Sequence, residues 1–204
     1  MILITTSYDC DIQRTQELAY CRKQNHKEFW RIFLLYEQIA GACTTTRVWR
    51  RQTIADAFDT KFDTRIPDGE VVVIANADCW FDHTIQLANQ IKQDEFWCLA
   101  KRPHSLMTGF RSNQLSIDAN HSQDAWAFKA PVKQYLRDVC WHEKLEFGKM
   151  GVDNRLAYLA ANAGYVVRNP SKSVMVWHCH DNYVPKPLTT KVPGNYLLVE
   201  PEFL

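Results

Sequence analysis

The uninterrupted apolar run Val71–Ala75 is β-branched at four of its five positions, which predicts a central strand buried on both faces. Shorter apolar runs at residues 2–6, 31–36, 96–100, 125–129, 165–168 and 174–177 predict further strands. Between them the apolar positions take helical spacing. Residues 13–24 turn Leu18 and Cys21 inward, and residues 47–62 do the same with Ile54, Ala57 and Phe58. Residues 82–93 begin a helix near Asp82, residues 133–140 follow Pro131, and residues 153–163 end at Gly164, a residue suited to a helix C-terminus. Pro67-Asp68-Gly69 marks a turn, and residues 101–122 read as a long polar loop. Residues 185–204 hold four prolines and read as an extended tail. Strands alternating with helices predict an α/β fold with a mostly parallel sheet flanked by helices, in one domain over residues 1–204. In such sheets ligands bind beyond the carboxyl ends of the strands. The positions to inspect are therefore 5–9, 37–38, 76–82, 101–102 and 177–181.

Composition narrows the partners. The chain has 204 residues, 46% of them apolar, enough for a sizeable core in a single domain. A formal net charge of +1 gives no global attraction to nucleic acid or anionic membranes. No apolar run reaches the roughly 18 residues of a spanning helix. Met1-Ile2-Leu3-Ile4 lacks the basic first region of a signal peptide and reads as a buried strand. Seven widely spaced cysteines without a C-x-x-C pair exclude a cysteine zinc site and predict free thiols in a reducing cytoplasm.

Three stretches carry candidate chemistry. Asn76-Ala77-Asp78 places a carboxylate at the end of the central strand, where it can hold a hard divalent cation against phosphate oxygens. Asp82 is expected to cap the helix that follows. Gly151-Val152-Asp153-Asn154 sets Asp153 at a helix start, where the positive helix end should keep it ionised as a proton acceptor. His178 and His180, two apart on a strand end, share one face and form a metal arm or phosphate contact.

Taken in order, the polar first-strand end, Glu37, Asn76-Ala77-Asp78, Gly151-Val152-Asp153-Asn154 and His178 resemble inverting GT-A glycosyltransferases over about residues 1–183. Asn76-Ala77-Asp78-Cys79-Trp80-Phe81-Asp82, Ser122-Gln123-Asp124-Ala125-Trp126 and Asn169-Pro170-Ser171 look like a subgroup of small bacterial and phage proteins of this type. The resemblance implies a GT-A, Rossmann-like sheet and a nucleotide-sugar donor, with UDP the expected nucleotide. It implies Mn2+ or Mg2+ held by Asp78 and His178, and Asp153 as the catalytic base. Thr5, Thr6, Tyr8 and Glu37 would hold the nucleoside, Arg51 the nucleotide or diphosphate, and Asn76 the ribose and diphosphate. Asp124, Trp126 and His180 would touch acceptor or sugar. The first acid of the usual metal motif is Asn76, which leaves Asp78 to act with a partner.

The acceptor is open between a modified DNA base, a glycan, a lipid-linked sugar and a protein. Arg47, Arg50, Arg51, Lys101, Arg102, His104 and Arg111, interleaved with Trp49 and Phe110, would form a basic rim suited to nucleic acid. A modified cytosine in duplex DNA would have to be flipped out to react. A non-catalytic nucleotide-sugar-binding module is the competing reading. A nucleotidyltransferase fits less well, because residues 5–11 lack a glycine- and lysine-rich loop.

Overall fold

The computed structural model describes residues 1–8, 10–37, 51–59, 66–115, 118–181 and 191–204, with the side chains of Tyr36 and Glu37 outside that set. Thirteen regular elements follow one another. They are β1 (Ile2–Tyr8), α1 (Ile12–Asn25), β2 (Arg31–Glu37), α2 (Ile54–Ala57), β3 (Val71–Ala75), β4 (Cys79–Phe81), a 3-10 helix (His83–Gln90), β5 (Glu95–His104), β6 (Gln123–Lys129), α3 (Gln134–Glu143), α4 (Val152–Asn162), β7 (Val166–Arg168) and β8 (Val176–Cys179).

The described strands form one sheet in the order β2-β1-β3-β6-β5-β8-β4, with β7 also on β5. β1 runs parallel to β2 and β3, and β5 runs parallel to β7 and β8. β6 lies antiparallel between β3 and β5, and β4 is antiparallel to β8. Six strands thus share one direction and β4 and β6 oppose them, the mostly parallel α/β sheet that the alternation of elements predicts. β4 is the strand that the apolar pattern misses: three residues are too few to show a period.

Side-chain alternation buries both faces. Ile2, Ile4, Val72, Ile74, Phe96, Cys98, Trp126 and Phe128 face one cluster, completed by Ile54 of α2, Leu136 of α3 and Leu156 of α4. Leu3, Val71, Val73, Trp97, Leu99, Ala125 and Ala127 face the other, covered by Phe29 and by Ile85 and Ala88 of the 3-10 helix. A smaller cluster joins Cys21 of α1 to Trp80 and Trp177, whose rings stack at 5.5 Å between centroids.

Local signals explain the element ends. Asp11 caps α1 by accepting from the Arg14 amide at 2.8 Å, and Asp82 caps the 3-10 helix by accepting from the Thr84 amide at 3.0 Å. Thr53 and Asp56 make a reciprocal capping box on α2. Only Ile54–Ala57 of the helix expected at 47–62 is helical among the described residues; Arg47, Trp49 and Arg50 lie outside them. Gly164, at φ +77°, follows α4 as expected. In the tail, residues 191–204 have no regular structure yet are docked: Leu197 N donates to Asn154 O at 3.0 Å, Glu202 N to Asn169 O at 2.8 Å, and Val192 and Val199 are buried.

Sheet register breaks once. Leu99 pairs with Ala125 and Ala100 with Gln123, so Asp124 is an extra residue in β6, a β-bulge. Beyond it β5 leaves β6 and pairs Lys101 through His104 with β8. The Ala100 amide at this parting donates to Ser171 Oγ at 2.6 Å, and Ser171 in turn bonds Asn169, whose Nδ2 donates to Val199 O at 2.8 Å. Asn169 and Ser171 are fully buried. Ser171→Ala would strand a buried amide and should lower stability by about 2 kcal/mol, read as a reduced urea midpoint with an unchanged m-value. A loss below about 0.5 kcal/mol, the usual surface figure, would show that the bulge does not need this bond.

Candidate active site

The carboxyl ends of β1, β3 and β5, the amino ends of β4 and β6, and the end of β8 converge on Asp78. Cys79 stands opposite His178 across the β4–β8 pair, and the Cys179 amide donates to Asp78 O at 2.8 Å. This register brings the two imidazoles to the carboxylate. His178 Nε2 lies 3.0 Å and His180 Nδ1 3.7 Å from the same oxygen, Asp78 Oδ2. The rings stack with planes 3° apart, as two-residue spacing along a strand allows.

A third group reaches that oxygen. Arg14, in the first turn of α1, donates from Nη2 to Asp78 Oδ2 at 2.5 Å. Its Nη1 donates to Glu17 Oε2 at 2.5 Å and to Cys179 O at 3.0 Å, and its Nε to Tyr8 Oη at 3.0 Å. Burial would raise the Asp78 pKa, but His178, His180 and Arg14 outweigh it and hold the carboxyl well below the usual range. Asp78 is therefore an anion at every physiological pH.

Asp124, re-aimed by the bulge, pairs with Lys101 Nζ at 2.5 Å and accepts from Asn76 Nδ2 at 2.9 Å. Its Oδ2 is 4.0 Å from His178 Nε2, which joins the two carboxylates into one site. Burial would strip the proton from Lys101, yet Asp124 wins and raises its pKa. Asn76 Oδ1 and His180 Nδ1 are buried without a hydrogen-bond partner, two polar atoms free to meet a ligand.

Asp153 is the second residue of α4, after Gly151 at its N-cap, and no side chain caps this helix. The expectation that the helix end keeps it ionised is corrected. Backbone amides of the first turn do favour the anion, but burial first, and then the Asp124 charge, push its pKa up to about 7. Desolvation exceeds the helix-end effect because the latter is worth only about 0.3–1 kcal/mol.

Tyr8, Asn76, Asp78, Asp124, His178 and His180 thus meet at one edge, with Asp153 within electrostatic reach of Asp124. Other sequence candidates lie elsewhere. Trp126 is 1% exposed and sits in the core, so it does not reach a surface ligand as expected. Thr5 and Thr6 are buried against α1, lining a crevice of about 10 Å³, room for one water at most. Arg51 is exposed, and the Glu37 side chain lies outside the described residues. Of the basic rim, Arg102 is 3% exposed and donates to Ser171 O at 2.6 Å and Asn113 O at 3.2 Å. His104 accepts from Trp80 Nε1 at 3.0 Å, and Arg111 lies over the Trp80 ring and donates to Tyr20 Oη at 2.9 Å. Arg102 and His104 serve the interior, Arg111 lies exposed over Trp80, and Lys101 serves Asp124.

Sequence reasoning missed Arg14 and Glu17. Their i,i+3 spacing on a helix that starts directly after β1 was the available signal, since the first turn of such a helix returns to the strand end.

Asp153 also fixes a stability trend. Its folded pKa of about 7 lies above the ordinary 3.8, so the native state binds more protons than the unfolded chain between these values. Stability therefore falls as pH rises from about 4 to 7 and is flat above. Asp153→Asn should raise Tm at pH 8 by more than at pH 5. Thermal melts at both values check this, and an equal or reversed difference would contradict the buried, protonated acid.

No protein-family model and no curated protein matches the chain. Among solved structures, the chain is similar to one described as a glycosyltransferase involved in the glycosylation of the major capsid of PBCV-1, at 9% identity over 87% of this chain and 91% of that one, with a TM-score of 0.45.

Proposed function

We propose that this protein is a glycosyltransferase that moves a sugar from a nucleoside diphosphate, with UDP the expected nucleotide, to an acceptor hydroxyl with inversion. The observation that carries this reading is the pairing at one sheet edge of an Asp-His-His donor set with an acid whose pKa is about 7.

The donor set fits a divalent cation. Asp78 Oδ2, His178 Nε2 and His180 Nδ1 all lie within 4.8 Å of one another. The 3.0 Å between Asp78 Oδ2 and His178 Nε2 is the spacing of two ligands at about 2.1 Å from one ion at right angles. The unpartnered His180 Nδ1 is a free ligand atom. Two imidazoles turn preference away from Mg2+, which takes oxygen ligands, toward Mn2+ and later first-row ions. When bound, the ion supplies charge compensation for the departing diphosphate.

The chain's own residues do the rest. Asp153 takes the proton from the acceptor hydroxyl as that oxygen attacks the anomeric carbon. A base with a pKa close to the working pH combines a usable ionised fraction with real basicity. Asp124 raises that pKa and is itself held by Asn76 and Lys101. Asn76 Oδ1 and Tyr8 face the donor side.

For the acceptor, a glycan is favoured over a DNA base. Duplex binding needs free cations against phosphates, whereas Arg102 and His104 are buried and Lys101 is paired with Asp124. Beside α4, whose second residue is Asp153, an open cleft of about 670 Å³ is lined by Tyr158, Tyr196, Asn154, Asn195, His121 and Lys191. Its size and its mix of aromatic and amide groups suit a sugar chain.

A donor screen with UDP-, GDP- and CMP-sugars plus Mn2+ tests the reading through thermal shift and release of nucleoside diphosphate. Absence of both for every donor would sink it. Asp153→Asn should cut turnover by about 100-fold or more while leaving the Mn2+–UDP thermal shift in place. Retained turnover would remove Asp153 as base, whereas nucleotide binding by a wild type that turns over no donor would favour a binding module. In the wild type, kcat/KM should rise with pH through an inflection near 7, because the free enzyme must present Asp153 ionised.

A further inference from the structure

Arg14 is fixed where a metal ion would need room for its charge. The guanidinium is held by four acceptors, on β1, on α1, on the turn between β3 and β4 and at the β8 end: Asp78 Oδ2 and Glu17 Oε2 at 2.5 Å, and Tyr8 Oη and Cys179 O at 3.0 Å. Swinging it away would break all four bonds. It also shares Asp78 Oδ2 with His178 and His180, so a cation on those three ligands would sit next to a permanent positive charge.

The charges around it sharpen the point. Asp78 and Glu17 face Arg14, and Asp124 faces Lys101. These three carboxylates face two resident cations, and the imidazoles add no negative charge. A divalent ion entering alone turns the local balance from one negative to one positive charge, beside a guanidinium that its four bonds hold in place. A diphosphate entering with it offsets that excess and can accept from the one guanidinium N–H that those bonds leave.

We propose that Arg14 couples metal binding to diphosphate binding: fixed on the ligand carboxylate, it opposes a divalent cation until a diphosphate arrives to compensate both charges. This rests on the metal-assisted transfer described above. Arg14 is a positioning residue here, acting on affinity and order of binding rather than on the reacting atoms. Coupling of this kind is reciprocal, so the nucleotide strengthens the metal by the same factor that the metal strengthens the nucleotide.

The test measures Mn2+ binding by the loss of its free electron paramagnetic resonance signal, on the full chain. In the wild type, UDP should tighten Mn2+ by roughly tenfold or more, whereas uridine, which lacks the diphosphate, should leave it unchanged. Arg14→Met should bind Mn2+ alone about fivefold or more tighter than the wild type, with the effect of UDP reduced to about threefold or less. Arg14→Lys, which keeps the charge, should stay close to the wild type. The opposite sign, weaker Mn2+ in Arg14→Met, would mean that Arg14 merely orients Asp78 for the ion, and it would overturn the proposal, as would an unchanged affinity. If Arg14→Met fails to fold by circular dichroism, the wild-type comparison decides, and equal effects of UDP and uridine overturn it. Pyrophosphate in place of UDP separates the two readings. Coupling to pyrophosphate without any binding of UDP or another nucleotide would sink the nucleotide-sugar donor and keep the role of Arg14.

Discussion

The site depends on one extra residue in β6. Where Asp124 bulges out of register, β5 loses its partner and would leave the Ala100 amide buried and unpaired; the Ser171 hydroxyl takes that bond at 2.6 Å. Three things follow from the parting. The Asp124 carboxylate turns from the sheet face to the sheet edge, as bulges near active sites commonly redirect a side chain. Lys101, the next residue after Ala100, meets it. And the freed second half of β5 takes β8 as its partner, which carries His178 to the β4 edge, opposite Cys79 and beside Asp78. A regular ladder would have kept Asp124 on β6 as one more alternating side chain.

Around that geometry, two carboxylates are driven in opposite directions by their surroundings. Asp78 is buried among cations and imidazoles and stays ionised; Asp153 is buried beside another acid and holds its proton up to about pH 7. Burial alone would push both up, so the neighbours decide. Environments that separate the pKa values of nearby acids suit them to different tasks, here those proposed of ligand and base. The arrangement costs stability at Asp153, which is ionised only against desolvation, and it is common for residues at working sites to be individually unfavourable.

Much of the fold was legible. Val71–Ala75 announced a strand buried on both faces, Asp82 announced a cap, and Gly164 the end of α4, because each depends on local periodicity or on a single residue's backbone preference. The approximate place of the site was legible too, through the rule that strand ends bind ligands. Less legible was everything set by register. The bulge at Asp124 arises between residues 23 to 26 apart, and the β4–β8 pair and the approach of Arg14 between segments 64 to 165 apart in sequence, on which no local pattern bears. The basic rim failed for the same reason: Arg102 and His104 are polar in sequence but turn inward where β5 pairs with β8, and their bonds are made to a loop and to Trp80.

Register also gives Asn76 a structural task. Its backbone amide donates to Asp124 O at 3.0 Å, and its side-chain amide donates to Asp124 Oδ1 at 2.9 Å. Position 76 therefore clamps the bulged residue through two donors. An aspartate there would set a second carboxylate against Asp124, in a half-buried place where Lys101 is the cation within reach, and one of the two acids would have to keep a proton. The amide removes that conflict and keeps Asp124 ionised for Lys101. The imidazoles of His178 and His180 stand on the other side, with Asp78, as the group of three that could hold a metal ion. The bulge needs a donor at Asn76, and the possible ligands gather at Asp78 and on β8, across the β4–β8 pair.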